Sequence, residues 1–216
     1  MEIIDVEKSE SFYYLDQIRL LYAASFPSAQ FRPIEIITKM LDLDPNYHLF
    51  GVRIHNSIVG FSFLYTFNDL KFAFLDYLAI DRKYRGCGIG SELFRYTLNS
   101  CCTLMENPIE LIFEVQRGSS NSSEPDKNGI RQRRILFYTR FGAKIFEGPH
   151  YLLPNAHGGE PEDMYLMLVP NLDIPYITKN SVILIIKRIY LAIYHCYESD
   201  LIDLTIAGLP SRIRLI

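Results

Sequence analysis

The sequence predicts a mixed α/β fold with a helical C-terminal extension. Three observations predict it. The spacing of apolar residues changes from the helical period to the two-residue strand period near residue 47 and then alternates between the two. A nearly continuous apolar run spans 71–80, as in a strand covered on both faces. A glycine-rich turn at 85–90 joins that run to an amphipathic pattern. The expected order up to residue 169 is β-α-α-β-β-β-α-β-α-β-β.

The elements follow in order. Residues 2–6 suit a short strand. Phe12, Leu15, Ile18, Leu21 and Tyr22 fall at helical spacing within 10–25, before Pro27. A second helix runs from Pro33 to Leu43, with the proline in the first turn, where its missing N–H costs nothing. Asp44-Pro45-Asn46 is a turn. Tyr47–Ile54 and Ile58–Phe67 form a hairpin through His55-Asn56-Ser57, and 71–80 is a third strand. The next helix, from Ser91 to Met105, carries a stripe of Leu93, Phe94, Thr97, Leu98, Cys101 and Leu104. Ile109–Gln116 is a strand, 117–129 a long polar loop, and Ile130–Phe141 a helix stopped by Gly142. Lys144–Leu153 and Met164–Val169 are strands. Beyond Pro170 and Pro175, one Ile/Tyr-rich helix over 181–197 precedes a short tail.

Composition narrows the function classes. The chain has 216 residues, 49% of them hydrophobic and 22% charged, enough for an ordinary domain with a full core. A formal net charge of -3 argues against nucleic acid as a partner. Fifteen Tyr and fourteen Phe with no Trp suit a large core or an apolar pocket. Cys87, Cys101, Cys102 and Cys196 form no C-x-x-C pair and no zinc-type spacing, so no metal is expected. The adjacent Cys101 and Cys102 suit core thiols in a reducing, cytoplasmic setting. The N-terminus lacks a secretory pattern, and Lys187, Arg188 and His195 interrupt the one membrane-like stretch, so no transmembrane segment is expected.

The most informative string is Leu78-Ala79-Ile80-Asp81-Arg82-Lys83-Tyr84-Arg85-Gly86-Cys87-Gly88-Ile89-Gly90-Ser91. Glycines let backbone N–H groups approach a ligand with no Cβ in the way, and a helix N-terminus adds partial positive charge. The turn is therefore an anion cradle with Arg85 at its lip. It lacks the closing Gly-Lys-Ser/Thr of the Walker loop, and glycines at 86, 88 and 90 do not match the dinucleotide fingerprint. The spacing Arg85-x-x-Gly88-x-Gly90 does resemble the pyrophosphate loop of the GNAT superfamily of acyl-CoA-dependent N-acyltransferases. Phe137-Tyr138-Thr139-Arg140-Phe141-Gly142-Ala143 looks like the end of that family's last helix, and Ile112-Phe113-Glu114-Val115 resembles its fifth strand. The element order is also the family's. Two departures are Arg131 and Arg134, which stand where many members carry Asn and Ala.

The resemblance implies a GNAT-like mixed central sheet over 1–169, with 170–216 as a C-terminal helical extension. It implies acetyl-CoA, or another acyl-CoA, as acyl donor. The backbone of Leu78, Ala79 and Ile80 would hold the pantetheine arm. The N–H groups of Gly86, Cys87, Gly88, Ile89, Gly90 and Ser91 would bind the pyrophosphate, with Arg85 beside it. An amine would attack the thioester directly, helped by proximity and orientation. Tyr138 stands where the family's general acid stands. Two carboxylates compete for the base: Glu114, placed as in ribosomal-protein alanine acetyltransferases, and Asp76, which interrupts the apolar run. The alternative for each is an ion pair with an arginine such as Arg131 or Arg134. His150 and His157 border the acceptor side. Cys87 contributes its N–H rather than its thiol.

The expected acceptor is a primary amine on a small molecule or peptide. The loops 117–129 and 154–161 would set its identity. The 181–197 helix has three open roles: a lid on the sheet, a homodimer contact, or one wall of a tunnel for a longer fatty acyl chain. A catalytically inactive acyl-CoA-binding module is the non-enzymatic alternative.

Overall fold

The computed structural model describes residues 1–6, 11–26, 32–105, 110–117, 125–155, 159–197 and 199–216, without the side chains of 11, 12, 125–128 and 199. Its internal contacts divide the chain into two compact units, Met1–Leu111 and Ile112–Ile216.

The first unit is an antiparallel meander with helices against it. β1 (Glu2–Asp5) pairs with β2 (Tyr47–Ile54), β2 with β3 (Ser57–Phe67), and β3 with β4 (Phe72–Ile80). The β2–β3 hairpin forms where the alternation predicts it, and His55 takes the left-handed conformation that tight hairpin turns require. α1 (Ser11–Ser25) buries Tyr14, Ile18, Leu21 and Tyr22, a helical stripe. α2 (Ile34–Leu43) buries Ile34, Ile37, Met40 and Leu41. Pro33 caps α2 rather than joining its first turn. Its extended backbone leaves its carbonyl to accept from Ile36 N–H at 2.9 Å. The sheet face toward α1 is aromatic: Tyr22 meets Tyr77 edge-on at 4.8 Å, and Phe61, Phe63 and Tyr77 continue the cluster. Burying each such ring contributes roughly 1.5–3 kcal/mol.

Two backbone details fix the end of β4. The β3–β4 register runs Phe63↔Tyr77 and then Leu64↔Leu75, so Asp76 is an extra residue, a bulge. Further along, Gly60 faces Ile80, and a Cβ at 60 would lie 2.4 Å from the Ile80 side chain. A side chain there would push the end of Ile80 aside and crowd the Ala79 carbonyl, 3.1 Å from the added Cβ. α3 (Ile89–Leu104) follows a 3₁₀ turn at Arg82–Tyr84. It starts two residues before the predicted Ser91, because Gly88 caps it. Its buried residues are Ile89, Leu93, Phe94, Thr97 and Cys101, and the Thr97 hydroxyl bonds Ser62 of β3 at 2.8 Å. Leu104 is exposed, the stripe having rotated away from the sheet by the last turn. Cys101 is buried, its thiol pushed up to about 12 by burial, but Cys102 is exposed: neighbours on a helix face different ways.

The second unit holds β5 (Glu110–Gln116) from Ile112 on, α4 (Pro125–Thr139), β6 (Lys144–Ile145), β7 (Tyr151–Leu153) and β8 (Glu162–Val169). β8 is central: β5 lies beside it, and β6 and β7 pair with it antiparallel. The strand expected over 144–153 is broken at 146–150, where Gly148 has φ 113° and Pro149 lacks a ladder donor. The expected 117–129 loop is shorter at its end, since α4 begins at Pro125. A proline already has helical φ and needs no donor in the first turn. The rest of that loop, 118–124, lies outside the described residues. Gly142, with φ 82°, ends the α4 turn as expected, and Ala143 N–H donates back to the Tyr138 carbonyl.

Residues 170–216 are more than one helix. β9 (Tyr176–Thr178) pairs antiparallel with β10 (Arg212–Arg214), and between them stand α5 (Lys179–Ala192) and α6 (Ser199–Ile206). The Thr178 side chain caps α5 by accepting from Ser181 N–H. α5 buries Val182, Ile185, Ile186, Ile189 and Tyr190. The chain end is stitched to β6 by reciprocal backbone bonds between Ile145 and Ile216, at 2.7 and 3.0 Å.

Candidate active site

The predicted anion cradle is a built turn. β4 delivers Leu78 half-buried and Ala79 and Ile80 buried. The chain then turns through 82–84, where the Asp81 carboxylate accepts from Lys83 N–H at 2.9 Å. Arg85 folds back: its Nε donates to the Ile80 carbonyl at 2.8 Å, tying the turn to the end of β4. Gly86 and Gly88 have φ of 80° and 83°, a conformation that costs an L-residue. Added Cβ atoms there would meet nothing within 4 Å, so the glycines serve backbone conformation and leave open space above the amides. Among the described residues, no backbone carbonyl accepts from the N–H of Gly86, Cys87 or Gly88. Ile89 and Gly90 open α3, where first-turn N–H groups lack intrahelical partners. Ser91 N–H turns inward to the Gly88 carbonyl at 2.9 Å. Arg85, Gly86, Cys87 and Gly88 are exposed, Gly90 and Ser91 half-buried, and Ile89 anchors the turn in the core. The turn has what a diphosphate needs: amides that no described backbone carbonyl takes, a helix N-terminus, and no side chain at Gly86 or Gly88.

Asp76, in the same unit, is enclosed. Its side chain is 1% exposed and bonds through one oxygen, Oδ2, to both the Arg32 guanidinium and the Tyr47 hydroxyl. Oδ1 is buried and has no hydrogen-bond partner among the described residues. Burial pushes the carboxyl pKa up, against the opposing pull of Arg32 and the Tyr47 hydrogen bond. Arg32 itself is buried, stacks on the Tyr77 ring at 5.3 Å and donates to its hydroxyl at 3.3 Å. The ion-pair partner is thus Arg32, not Arg131 or Arg134.

In the second unit, strand alternation sends Phe113 and Glu114 to opposite faces of β5. Phe113 turns to one face of β5, where its ring lies 4.3 Å from that of Tyr138 on the last turn of α4. Phe137 meets Tyr138 edge-on at 5.0 Å. Burial pushes the Tyr138 phenol up to about 12, with Arg134 pulling it down, so it keeps its proton at neutral pH. Glu114 turns to the opposite face of β5. The Tyr151 hydroxyl donates to its Oε1, and the Tyr194 hydroxyl donates to its Oε2 at 2.6 Å. His150 is exposed, 3.8 Å from Asp163, and His157 lies outside the described residues.

Residues 15–108 match the family model described as the acetyltransferase (GNAT) family. Over that span the chain is similar to that family. Solved structures agree on the GNAT fold. A protein described as a GNAT-family acetyltransferase from Bacteroides thetaiotaomicron is 23% identical, with 91% of this chain and 99% of that one covered at a TM-score of 0.68. The ribosomal-protein-S18-alanine N-acetyltransferase of Escherichia coli is 16% identical, with 80% and 95% covered at 0.56. An aminoglycoside 6'-N-acetyltransferase complexed with coenzyme A is 17% identical, with 81% and 99% covered at 0.54. No curated protein sequence matches the chain. No described helix is long and apolar enough to cross a membrane.

Four residues of these clusters escape the sequence reading: Arg32, Tyr47, Tyr151 and Tyr194. Tyr47 and Tyr151 sit on strands whose alternation names their face but not their partner. Arg32 and Tyr194 lie beside elements, at 44 and 80 residues from the carboxylates they bond, and no spacing rule reaches that far.

Proposed function

We propose that the chain is an acyl-CoA-dependent N-acyltransferase that moves an acyl group, acetyl in the first instance, to the primary amine of a small molecule or peptide. The observation that carries this reading is the open-amide turn at 86–90, set between a buried strand and a helix N-terminus. The amides of Gly86, Cys87, Gly88, Ile89 and Gly90 bind the diphosphate of the donor. The Leu78–Ile80 backbone lies along its pantetheine arm. Ser91 and Arg85 shape the turn from within, and the Arg85 bond to Ile80 holds the two donor-binding segments in fixed relation.

The amine nitrogen bonds to the thioester carbon, and the carbon–sulfur bond breaks. Glu114 takes the proton the amine loses, and Tyr138 gives its proton to the departing thiolate, leaving an amide and free coenzyme A. A phenol titrating near 12 is protonated when needed, and the thiolate arises only as the bond breaks. Asp76 is the weaker base, since one of its oxygens is committed to Arg32 and Tyr47 and its side chain is enclosed. We assign it to holding the bulge of β4. Residues 1–169 form the acyltransferase domain in this reading. The α5 residues that would line a tunnel for a longer chain are packed in the core, which favours acetyl.

Thiol release decides the matter. Acetyl-, decanoyl- and palmitoyl-CoA are offered with a panel of primary amines, polyamines and N-terminal peptides. Acetyl-dependent release with at least one amine is expected. Tight coenzyme A binding with no release from any donor–amine pair would make the chain a binding module instead.

A further inference from the structure

The extension beyond residue 169 reaches the proposed base. Tyr194 lies in the turn after α5, not within the helix. His195 takes φ 49°, and Cys196 N–H donates to the Tyr190 carbonyl at 3.0 Å, closing a loop around Tyr194. From this fixed position its hydroxyl bonds Glu114 Oε2 at 2.6 Å. Tyr190, four residues earlier, supports the other side. Its ring meets Tyr151 edge-on at 5.7 Å and Tyr194 at 6.2 Å. Its hydroxyl donates to the Leu152 carbonyl and shares a hydrogen bond with Thr205 of α6 at 3.0 Å. Three phenols from two parts of the chain thus converge, and two of them grip opposite oxygens of one carboxylate.

We propose that Tyr194 is a positioning residue for Glu114, so that the segment after residue 169 is a working part of the acyl-transfer site. The inference rests on the reading of Glu114 as the base. A carboxylate gripped at one oxygen can rotate about its last bond; one gripped at both cannot. Hydrogen bonds to an ionised acceptor are about twice as strong as neutral ones and favour the ionised form, the form a base must start in. The donors are suited to the task. Burial and the Glu114 charge push the Tyr151 phenol far up, so it remains a donor rather than an anion. Tyr190 is pushed up in the same way, chiefly by burial.

The same unit carries other titratable groups, of which Cys196 acts on the cluster through Tyr190 and Arg134 acts on Tyr138. They are Glu162 of β8, bonded by Gln116 at 2.8 Å, the Arg117–Asp163–His150 group at the end of β5, Arg134 of α4, and Cys196 beside Tyr190. A pH experiment must therefore follow Glu114 itself. The test is a ¹³C titration of side-chain carboxyls, with the Glu114 resonance identified by its loss in Glu114→Gln, run beside the pH profile of kcat/KM for amine acetylation. In Tyr194→Phe the Glu114 midpoint is expected to rise by about one pH unit. The acid limb of kcat/KM should rise with it, with the KM for acetyl-CoA unchanged. Tyr197→Phe, in the same segment but 74% exposed, should leave both where they were. A Glu114 midpoint unmoved in folded Tyr194→Phe overturns the proposal. If that variant does not fold, 3-fluorotyrosine at 194, a stronger donor of nearly the same shape, should lower the midpoint, and no change overturns the proposal equally. A midpoint that moves while the kcat/KM profile stays fixed leaves the clamp in place but removes Glu114 as base, which is the failure of the underlying reading.

Discussion

Asp76 and Glu114 look alike in sequence and differ in their surroundings. Each is a carboxylate between apolar neighbours in a strand, and each accepts at least two hydrogen bonds. Around Asp76 both bonds converge on one oxygen, one of them from a buried guanidinium, and the other oxygen is enclosed with no partner among the described residues. Around Glu114 two neutral phenols take one oxygen each. The first arrangement ties a charge to its counter-charge inside the core and pins a bulge. The second orients a carboxylate with neutral donors at both oxygens. Burial of a carboxylate is therefore poor evidence of a catalytic role by itself; the kind of donor and the division of oxygens decide.

The sharpest way to break this contrast is to neutralise Glu114. Glu114→Gln should lower kcat/KM by about 10²–10⁴-fold, the usual worth of a general base, while its urea midpoint stays close to that of the unchanged protein. Tyr138→Phe should cost turnover on a similar scale, about 10²–10⁴-fold, with coenzyme A affinity by calorimetry retained. Normal turnover would remove the acid role. Asp76→Ala should do the opposite of Glu114→Gln. Stranding the Arg32 guanidinium should cost about 3–5 kcal/mol of stability in urea titrations, with turnover per folded molecule largely kept. An Arg32→Met/Asp76→Leu pair should recover most of that loss. If Asp76→Ala abolishes turnover without loss of stability, the two carboxylates exchange roles. The smallest effect is at the cradle. Gly88→Ala forces a left-handed alanine, costing roughly 1–2 kcal/mol, and should weaken coenzyme A binding without altering the pH profile.

Much of the first unit was legible because its signals are local. The β2–β3 hairpin, β4, the glycine turn and α3 follow from periods and turn residues a few positions apart. Errors came where local signals mislead. The Lys144–Leu153 run reads as one strand, but Gly148 and Pro149 break it. The polar stretch ending at Gly129 reads as loop, although Pro125 is already a helix start. The helix expected over 181–197 ends at Ala192, and the Tyr194 turn it gives way to is the feature that reaches Glu114.

The sequence by itself determined the fold class and the glycine turn after β4, which depend on periodicity and backbone conformation within one or two elements. Asp76 stood out by interrupting an apolar run, and Tyr138 and Glu114 by their place in motifs that resemble the GNAT family. Only the tertiary structure decided what the two carboxylates touch. Arg32 meets Asp76, and Tyr151 and Tyr194 meet Glu114, because register, bulge and helix packing bring distant positions within about 3 Å, the reach of a hydrogen bond. A hydrogen-bond partner 80 residues away leaves no period in the chain, yet it distinguishes a pinned charge from an oriented one.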